Sequence, residues 1–206
     1  MACKLWPLFQ QPMSARPERP TVHGLRSRPH LIESIITRKT KTALAYTNTP
    51  MHDMSPQARG ARLQEVFREL EARLTWNPTK TENRGIHTAT FDYFVGANKD
   101  KANRKEIKSA QVKWSGTWEV SWQNIHVDRF DELGLVMYSP RRLCFWSFLK
   151  NDLPPLLKLS KQGKRPGHQI SLRADRKTNA NIDAAVGDLL SKLPPPLHEY
   201  HFRHVQ

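Results

Sequence analysis

The stretch that decides the fold is Arg104-Lys105-Glu106-Ile107-Lys108-Ser109-Ala110, which follows Phe91-Asp92-Tyr93 after a short gap. Successive side chains of a β-strand point to opposite faces. Glu106 and Lys108 should therefore share one face of a sheet, while the isoleucine between them packs on the other face. If the strand that carries Asp92 is the neighbouring strand, two carboxylates and one ammonium group meet in a small patch.

The residue types in this patch suit the chemistry of a phosphodiester bond. Paired carboxylates such as Asp92 and Glu106 provide the oxygen ligands that Mg²⁺ prefers. A bound Mg²⁺ ion polarises a phosphate and activates water, and a lysine such as Lys108 orients that water or stabilises charge. The alternative for Glu106 and Lys108 is an ordinary ion pair on a solvated strand, because the segment 99–113 is dense in charge.

An acid, a gap and then Glu-x-Lys resembles the signature of the PD-(D/E)xK nuclease superfamily, to which type II restriction endonucleases belong. A Phe-Asp pair stands here where the family has Pro-Asp. The resemblance implies that Asp92 and Glu106 bind one or two Mg²⁺ ions, with the backbone carbonyl of Ile107 as a third ligand. It also implies that Lys108 acts on the attacking water, and that Glu65 on the preceding helix gives outer support.

The likeness extends over roughly residues 55–193. Short patches at 106–111, 130–133 and 167–170 are similar to restriction-endonuclease-like proteins of large algal viruses and their hosts. The resemblance implies a core in which a helix is followed by antiparallel strands that bear the catalytic acids. Its usual products are a 5′-phosphate and a 3′-hydroxyl.

Composition points to a polyanionic partner. The 206-residue chain has a formal net charge of +14 and a pI near 10.1. Nucleic acid suits this charge better than a membrane, since no basic amphipathic helix stands out and no apolar run is long enough to span a bilayer. Two cysteines make no disulfide framework, and the spacings of zinc sites are missing.

We divide the chain into a basic segment 1–50 and a single nuclease-like domain 51–206. The first segment is rich in basic residues and proline and poor in acids, which is typical of a disordered tail. An over-extended start and an organellar transit peptide are the alternatives. Localisation therefore stays open between a soluble intracellular protein and an imported one. Within the segment we expect only a short helix around 30–36.

Hydrophobic periodicity predicts two helices and a run of strands in the domain. Ser55 and Pro56 predict the start of a helix over 55–74 with one apolar stripe. The order of elements indicates an α/β (α+β) fold, a restriction-endonuclease-like core with a central mixed β-sheet flanked by helices. The remaining predictions are strands over 87–95, 105–113, 118–125, 133–139, 143–148 and 168–172, a loop over 150–168, and a helix over 182–193.

A second set of residues is assigned to nucleic-acid contact. Amide and aromatic side chains follow the catalytic strand, and such groups read bases or stack on them. Basic residues further along the chain fit contacts to phosphates. Sheet packing for the tryptophan, a solvated loop for the basic cluster and a loop histidine without chemistry are the alternatives. The set is Gln111, Lys113, Trp114, Gln123, Asn124, Lys161, Lys164, Arg165 and His168.

Together these features predict a Mg²⁺-dependent endonuclease that hydrolyses double-stranded DNA. Site-specific cleavage of the restriction type and a homodimer are further expectations, because both strands must be cut. The alternative is a nucleic-acid-binding protein without catalysis, either a degenerate nuclease fold or a basic organelle protein. Resolvases and RNA-processing enzymes of the same superfamily are a third interpretation.

Overall fold

The computed structural model describes residues 29–76, 91–153, 155, 157–160 and 167–202, with residues 29–37 and 99 described by their backbone alone. Two compact units divide after Ile36, and the description concerns the second unit, Thr37–Gln206. No helix in the described ranges is both long and apolar enough to cross a membrane. The helices there are α1 (Pro29–Tyr46), α2 (Pro56–Leu70) and α3 (Ile182–Leu190).

Ten strands in the described ranges form two sheets. They are β1 (Thr75–Trp76), β2 (Tyr93–Val95), β3 (Asn103–Gln111), β4 (Lys113–Trp114), β5 (Trp118–Ile125), β6 (Glu132–Tyr138), β7 (Arg142–Leu149), β8 (Leu157–Ser160), β9 (Gly167–Arg173) and β10 (His198–His201). One sheet has the order β1-β2-β3-β6-β7-β10 and the other β4-β5-β9-β8. Among these strands β3 and β6 pair in parallel and the other pairs are antiparallel. An α+β fold with a mixed sheet, as predicted, is confirmed.

Several strands lie where periodicity predicts them. β5, β6 and β7 match the predicted ranges to within one residue at each end, and the side chains of β6 are buried throughout. The predicted strand 105–113 is divided between β3 and β4 at Val112, whose backbone N–H donates to the Tyr138 carbonyl (2.9 Å). Positions 87–90 of the first predicted strand lie outside the described residues.

Three edge strands, β1, β8 and β10, are absent from the prediction, and β1 pairs with β2. β8 lies within the predicted loop 150–168 and pairs with β9, and β10 pairs with β7. All four side chains of β10 and two of the four side chains of β8 are exposed, and both side chains of β1 are half-buried. Backbone hydrogen bonds rather than an alternating apolar face hold such edges, so periodicity gives little signal for them. The connection from β3 to its parallel neighbour β6 runs through β4 and β5 of the second sheet.

Helix α2 begins as predicted and ends early. Ser55 caps it, because its Oγ accepts a backbone N–H of the first turn at 3.2 Å. The helix ends at Leu70 rather than at residue 74, since Glu71 turns to extended geometry and its Oε2 lies 2.5 Å from the buried Lys105 Nζ. Leu74, expected on the apolar stripe, is 65% exposed.

Helix α1 lies entirely within the segment 1–50 that the sequence assigns to a tail, and it extends beyond the short helix expected around 30–36. Tyr46 near its end is buried, and its hydroxyl lies 2.8 Å from the Val112 carbonyl oxygen and 2.9 Å from the Tyr138 carbonyl oxygen. These contacts fix the end of α1 to the sheets. The folded unit therefore includes residues from Thr37 onward, while residues 1–28 lie outside the described residues.

The two faces of β3 lie against different hydrophobic clusters of the core. The β6 residues beside Glu106 and Lys108 are leucines of the apolar cluster shared with the four-stranded sheet. Ile107 lies beside Gly134 and belongs to the cluster formed with α2. A Cβ atom on Gly134 would lie 2.3 Å from the Ile107 Cδ1 atom, so this close approach requires glycine.

Candidate active site

Asp92 lies just before β2 and is held against β3. Its backbone N–H donates to the Lys105 carbonyl (2.8 Å), and its Oδ2 accepts the backbone N–H of Ile107 (2.6 Å). The antiparallel ladder pairs Tyr93 with Lys105, so Asp92 occupies the next position toward Glu106. The Asp92 carboxylate accepts an N–H that a backbone carbonyl of a neighbouring strand would otherwise accept. This hydrogen bond holds Asp92 beside the Glu-x-Lys segment.

Glu106 and Lys108 form an ion pair on one face of β3. The Glu106 Oε1 and the Lys108 Nζ are in direct contact. The Glu106 side chain is 14% exposed and the Lys108 side chain is 23% exposed. Both groups are therefore largely buried but still reach solvent, which a group that meets a substrate requires.

The electrostatics link these three side chains into one unit. Burial raises the pKa of Asp92, and the Ile107 backbone N–H and the Lys108 charge act against this rise. Burial also raises the pKa of Glu106, where Lys108 acts to lower it and the charge of Asp92 acts to raise it. Two carboxylates with raised pKa values are short of positive charge, so a cation beside them would stabilise their ionised forms.

A cavity of about 540 Å³ opens beside Asp92. Glu65, Arg62 and Arg68 on α2 line it, and the side chain of Gln64 hydrogen-bonds Asp92. The Glu65 Oε2 lies 2.6 Å from the Arg62 Nη1, and the Glu65 side chain is 44% exposed. Glu65 thus shares a cavity with Asp92 and is engaged there by an exposed arginine.

The donor atoms of the site suit a hard divalent cation. Asp92 and Glu106 offer carboxylate oxygens, the ligands that Mg²⁺ prefers. The N–H and C=O of one residue in an extended strand point to the same side, so the Ile107 carbonyl is directed, like its N–H, toward the Asp92 side. The described residues contain no group of three or more His, Cys, Asp or Glu suited to a metal. The predicted ligand set has two such side chains, Asp92 and Glu106, and its third ligand is the backbone carbonyl of Ile107.

Three of the predicted nucleic-acid contacts line a polar crevice. Gln111, Lys113 and Gln123 surround a cavity of about 370 Å³ together with Arg59 of α2. The Gln111 Oε1 accepts a hydrogen bond from the Arg59 Nη2 (2.8 Å), and the Gln111 side chain also hydrogen-bonds Tyr46. Gln111 is therefore engaged by protein groups, and its contact with a base stays a prediction.

The other predicted contacts lie in different surroundings. The Lys41 Nζ lies 3.3 Å from the centroid of the Trp114 ring, and Trp118 meets this ring edge-on, so Trp114 joins α1 to β4. Asn124 is exposed, with a φ of 57° at a register shift between β5 and β9. His168 lies on β9, and its buried Nδ1 has no hydrogen-bond partner among the described residues. Lys161, Lys164 and Arg165 lie outside the described residues.

Two neighbours of the site are missing from the sequence prediction. Gln64 contacts Asp92, and the charge of Arg129 acts against the rise that burial causes in the pKa of Glu106. Gln64 directly precedes Glu65 on α2, so its place next to a predicted site residue is the sequence feature that could have identified Gln64. Arg129 lies in the connection before β6, where no periodic pattern marks it.

Comparison with protein-family models, with curated proteins and with solved structures finds no match to this chain.

Proposed function

We propose that the protein is a Mg²⁺-dependent DNA endonuclease that hydrolyses phosphodiester bonds at Asp92, Glu106 and Lys108. The observation that carries the proposal is the anchoring of the Asp92 carboxylate on the Ile107 backbone N–H, next to the Glu106–Lys108 pair. Both carboxylates have raised pKa values, and one of them opens on a cavity. Such perturbed groups beside a cavity are typical of functional sites.

Each residue has a role in this proposal. Asp92 and Glu106 would hold the ion, with the Ile107 carbonyl as a further oxygen ligand. When bound, Mg²⁺ polarises the phosphate and lowers the pKa of its water ligand. Lys108 stabilises the negative charge that grows on the phosphate, or orients the attacking water. Glu65, which lines the same cavity as Asp92, supports the metal ligands from outside.

The proposed substrate follows from charge. A formal net charge of +14 favours a polyanion, and lysine and arginine contacts to phosphates supply much of the affinity for DNA. Arg62 and Arg68 line the cavity beside Asp92, which favours a phosphate there. One site cuts one strand, so cleavage of both strands calls for a second copy of the chain.

The test is cleavage of supercoiled plasmid DNA by the full chain in Mg²⁺, with and without EDTA. We expect nicking or linearisation that EDTA stops. Lys108→Ala should reduce the cleavage rate by about 100-fold or more, because it removes charge from the reacting phosphate. Its affinity for a DNA duplex in EDTA should change by less than roughly threefold, since one charge among many phosphate contacts is lost.

Lys150→Ala is the matched control, because Lys150 is an exposed lysine outside the site. We expect it to cut like the wild type. Equal cleavage by the Lys108→Ala variant and the wild type would show that the site is misassigned. A wild-type chain that binds duplex DNA but never cuts it would favour the alternative, a nucleic-acid-binding protein without catalysis.

A further inference from the structure

A basic groove lies between the end of α1 and strand β4. It has a volume of about 590 Å³. Arg38, Lys39, Arg59 and Lys113 line it together with His52, and no carboxylate is part of this lining. We call this surface the α1–β4 groove. The groove shares Arg59 and Lys113 with the polar crevice beside β3, so the two cavities are adjacent.

The cations of the groove are less closely paired with carboxylates than many other cations in the fold. Elsewhere arginines pair closely with carboxylates, as in Arg104–Asp131 (2.9 Å) and Arg142–Glu199 (2.8 Å). Arg38 and Lys39 are exposed, and no carboxylate among the described side chains forms an ion pair with either residue. Clustered charges of one sign attract a polyanion, because the resulting potential is not cancelled locally.

The other two cations are also poorly neutralised. Arg59 donates to the neutral side-chain amide of Gln111 (2.8 Å). Lys113 has its Nζ 3.6 Å from the Glu119 carboxylate, and its side chain is 50% exposed. The groove therefore presents four positive charges, while two acids lie at the edge of ion-pair range of its residues, Glu119 beside Lys113 (3.6 Å) and Asp53 beside His52 (3.9 Å).

The groove is built on fixed elements. Thr42 of α1 accepts the Trp114 backbone N–H of β4 with its Oγ1 (2.9 Å). Lys41 lies over the Trp114 ring, and the buried Tyr46 hydroxyl contacts two backbone carbonyls of the sheets. The positions of Arg38 and Lys39 on α1 are thereby set relative to β3 and β4, as a site for an extended ligand requires.

We propose that the α1–β4 groove binds the phosphate backbone of duplex DNA to one side of the cleavage site, an inference that rests on the proposed function for the cleavage itself. Gln111, which lines the groove, lies on β3 five residues beyond Glu106. At about 3.3 Å per residue this distance is about 17 Å along the strand. At 3.4 Å per base pair it corresponds to contacts about five base pairs from the scissile phosphate.

The test uses the double variant Arg38→Gln/Lys39→Gln of the full chain. Its affinity for a fluorescent duplex of about 30 base pairs, longer than the expected contact region, is measured in EDTA at several salt concentrations. Each lost phosphate contact lowers the slope of log affinity against log salt by about 0.9, so we expect the slope to fall by about 1.8. Both residues are exposed, so the fold should survive the substitutions.

Arg176→Gln/Lys177→Gln is the matched control, because it removes the same two residue types from exposed positions outside the groove. We expect it to keep the wild-type slope. An unchanged slope in the Arg38→Gln/Lys39→Gln variant, or equal losses in both variants, would overturn the groove assignment. So would a wild-type chain that does not bind the duplex.

The two proposals fail in different ways. Binding is measured in EDTA, so a chain that binds through the groove but never cuts DNA in Mg²⁺ refutes the nuclease alone. A chain that cuts DNA, and whose Arg38→Gln/Lys39→Gln variant keeps the full salt slope, refutes the groove alone.

Discussion

Strand β3 carries two lysines that face opposite sides of the six-stranded sheet. Lys105 is fully buried, with its Nζ 2.5 Å from a Glu71 oxygen and 3.6 Å from a Glu132 oxygen. Lys108 is partly exposed and pairs with Glu106. The Lys105 cluster (Lys105, Glu71, Glu132) and the Lys108 cluster (Lys108, Glu106) thus combine the same residue types within a few positions of one strand. Their surroundings must therefore decide which one is structural and which one is available for chemistry.

The pKa values of the carboxylates separate the two clusters. Burial opposes ionisation of Glu132, yet hydrogen bonds from Arg73 and Asn103 bring its pKa down to about 2. Burial raises the pKa of Asp92 and Glu106, and Lys108 offsets this only in part. In the Lys105 cluster, each carboxylate thus accepts hydrogen bonds from charged or amide donors, and the cluster joins the end of α2 to the sheet. On the other side, the charges of Lys108 and Arg129 do not offset the burial of the two carboxylates, and a divalent cation would stabilise their ionised forms.

Removal of each lysine should give the largest contrast. Lys105→Met should lower the free energy of unfolding by about 3 kcal/mol, because it removes the buried cation between Glu71 and Glu132 and leaves Arg73 as the cation that pairs with both. Lys108→Met should lower it less, by about 1–2 kcal/mol, since that pair is largely buried but still reaches solvent. Urea denaturation at neutral pH measures both. Equal losses would mean that the Lys108 pair is as structural as the Lys105 cluster.

Neutral isosteres of the carboxylates should sharpen the contrast. Glu132→Gln should cost about 1.5–3 kcal/mol at neutral pH, because hydrogen bonds to a charged group are lost. The lowered pKa of Glu132 means that its contribution is present above the ordinary glutamate pKa and is lost as the pH falls toward about 2. Asp92→Asn should leave the stability unchanged or raise it, since an amide oxygen still accepts the Ile107 N–H.

The pH dependence should run in the opposite direction for the carboxylates of the candidate site, Asp92 and Glu106. With raised pKa values, the folded chain holds these protons more tightly than the unfolded chain does. Their contribution to the free energy of unfolding therefore falls as the pH rises from the ordinary carboxylate pKa through the raised one. Unfolding titrations of the wild type and Asp92→Asn measure this difference. A wild-type contribution that grows with pH in this window would contradict the assignment.

The contrast on β3 also shows how far sequence reasoning reaches. Alternation along a strand predicts that Glu106 and Lys108 share a face, and the Ser55-Pro56 signal predicts the start of α2. Both are local properties of the chain. The early end of α2 depends on Glu71 reaching Lys105, which lies far along the chain and on another element. No local pattern contains that pairing.

The missed elements have a similar cause. β1, β8 and β10 are short edge strands in which few side chains are buried, so their backbone pairing leaves little periodic signal. The composition of segment 1–50, basic and rich in proline, gives no sign that α1 is part of the fold. The end of α1 is held by Tyr46, whose hydroxyl contacts backbone carbonyls of β6 and of the residue after β3. The Asp92 anchor on the Ile107 N–H is a tertiary hydrogen bond. The candidate site could therefore be named from its residue types, but its electrostatics could not.

Mg²⁺ should stabilise the wild type through the Asp92–Glu106 site. A ligand that binds the folded chain alone adds about 1.4 kcal/mol at ten times its dissociation constant. Asp92→Asn should lose this increase in melting temperature, whereas Lys150→Ala should keep it. The increase should shrink as the pH falls through the raised pKa values of Asp92 and Glu106, because protons compete with the ion. An equal shift in the Asp92→Asn variant would place the ion elsewhere.

A small effect on stability is expected from Glu65 at the rim of the cavity. Glu65→Gln breaks an exposed pair with Arg62, so it should change the free energy of unfolding by less than about 1 kcal/mol. If Glu65 supports the ligands of the ion, the Mg²⁺ concentration for half-maximal cleavage should rise by about tenfold, as for other residues outside the ligand set. Arg62→Gln breaks the same pair but keeps the carboxylate, and it should leave the Mg²⁺ titration in place. Similar shifts in both variants would mean that the ion pair orders the cavity wall and that Glu65 has no role of its own toward the metal.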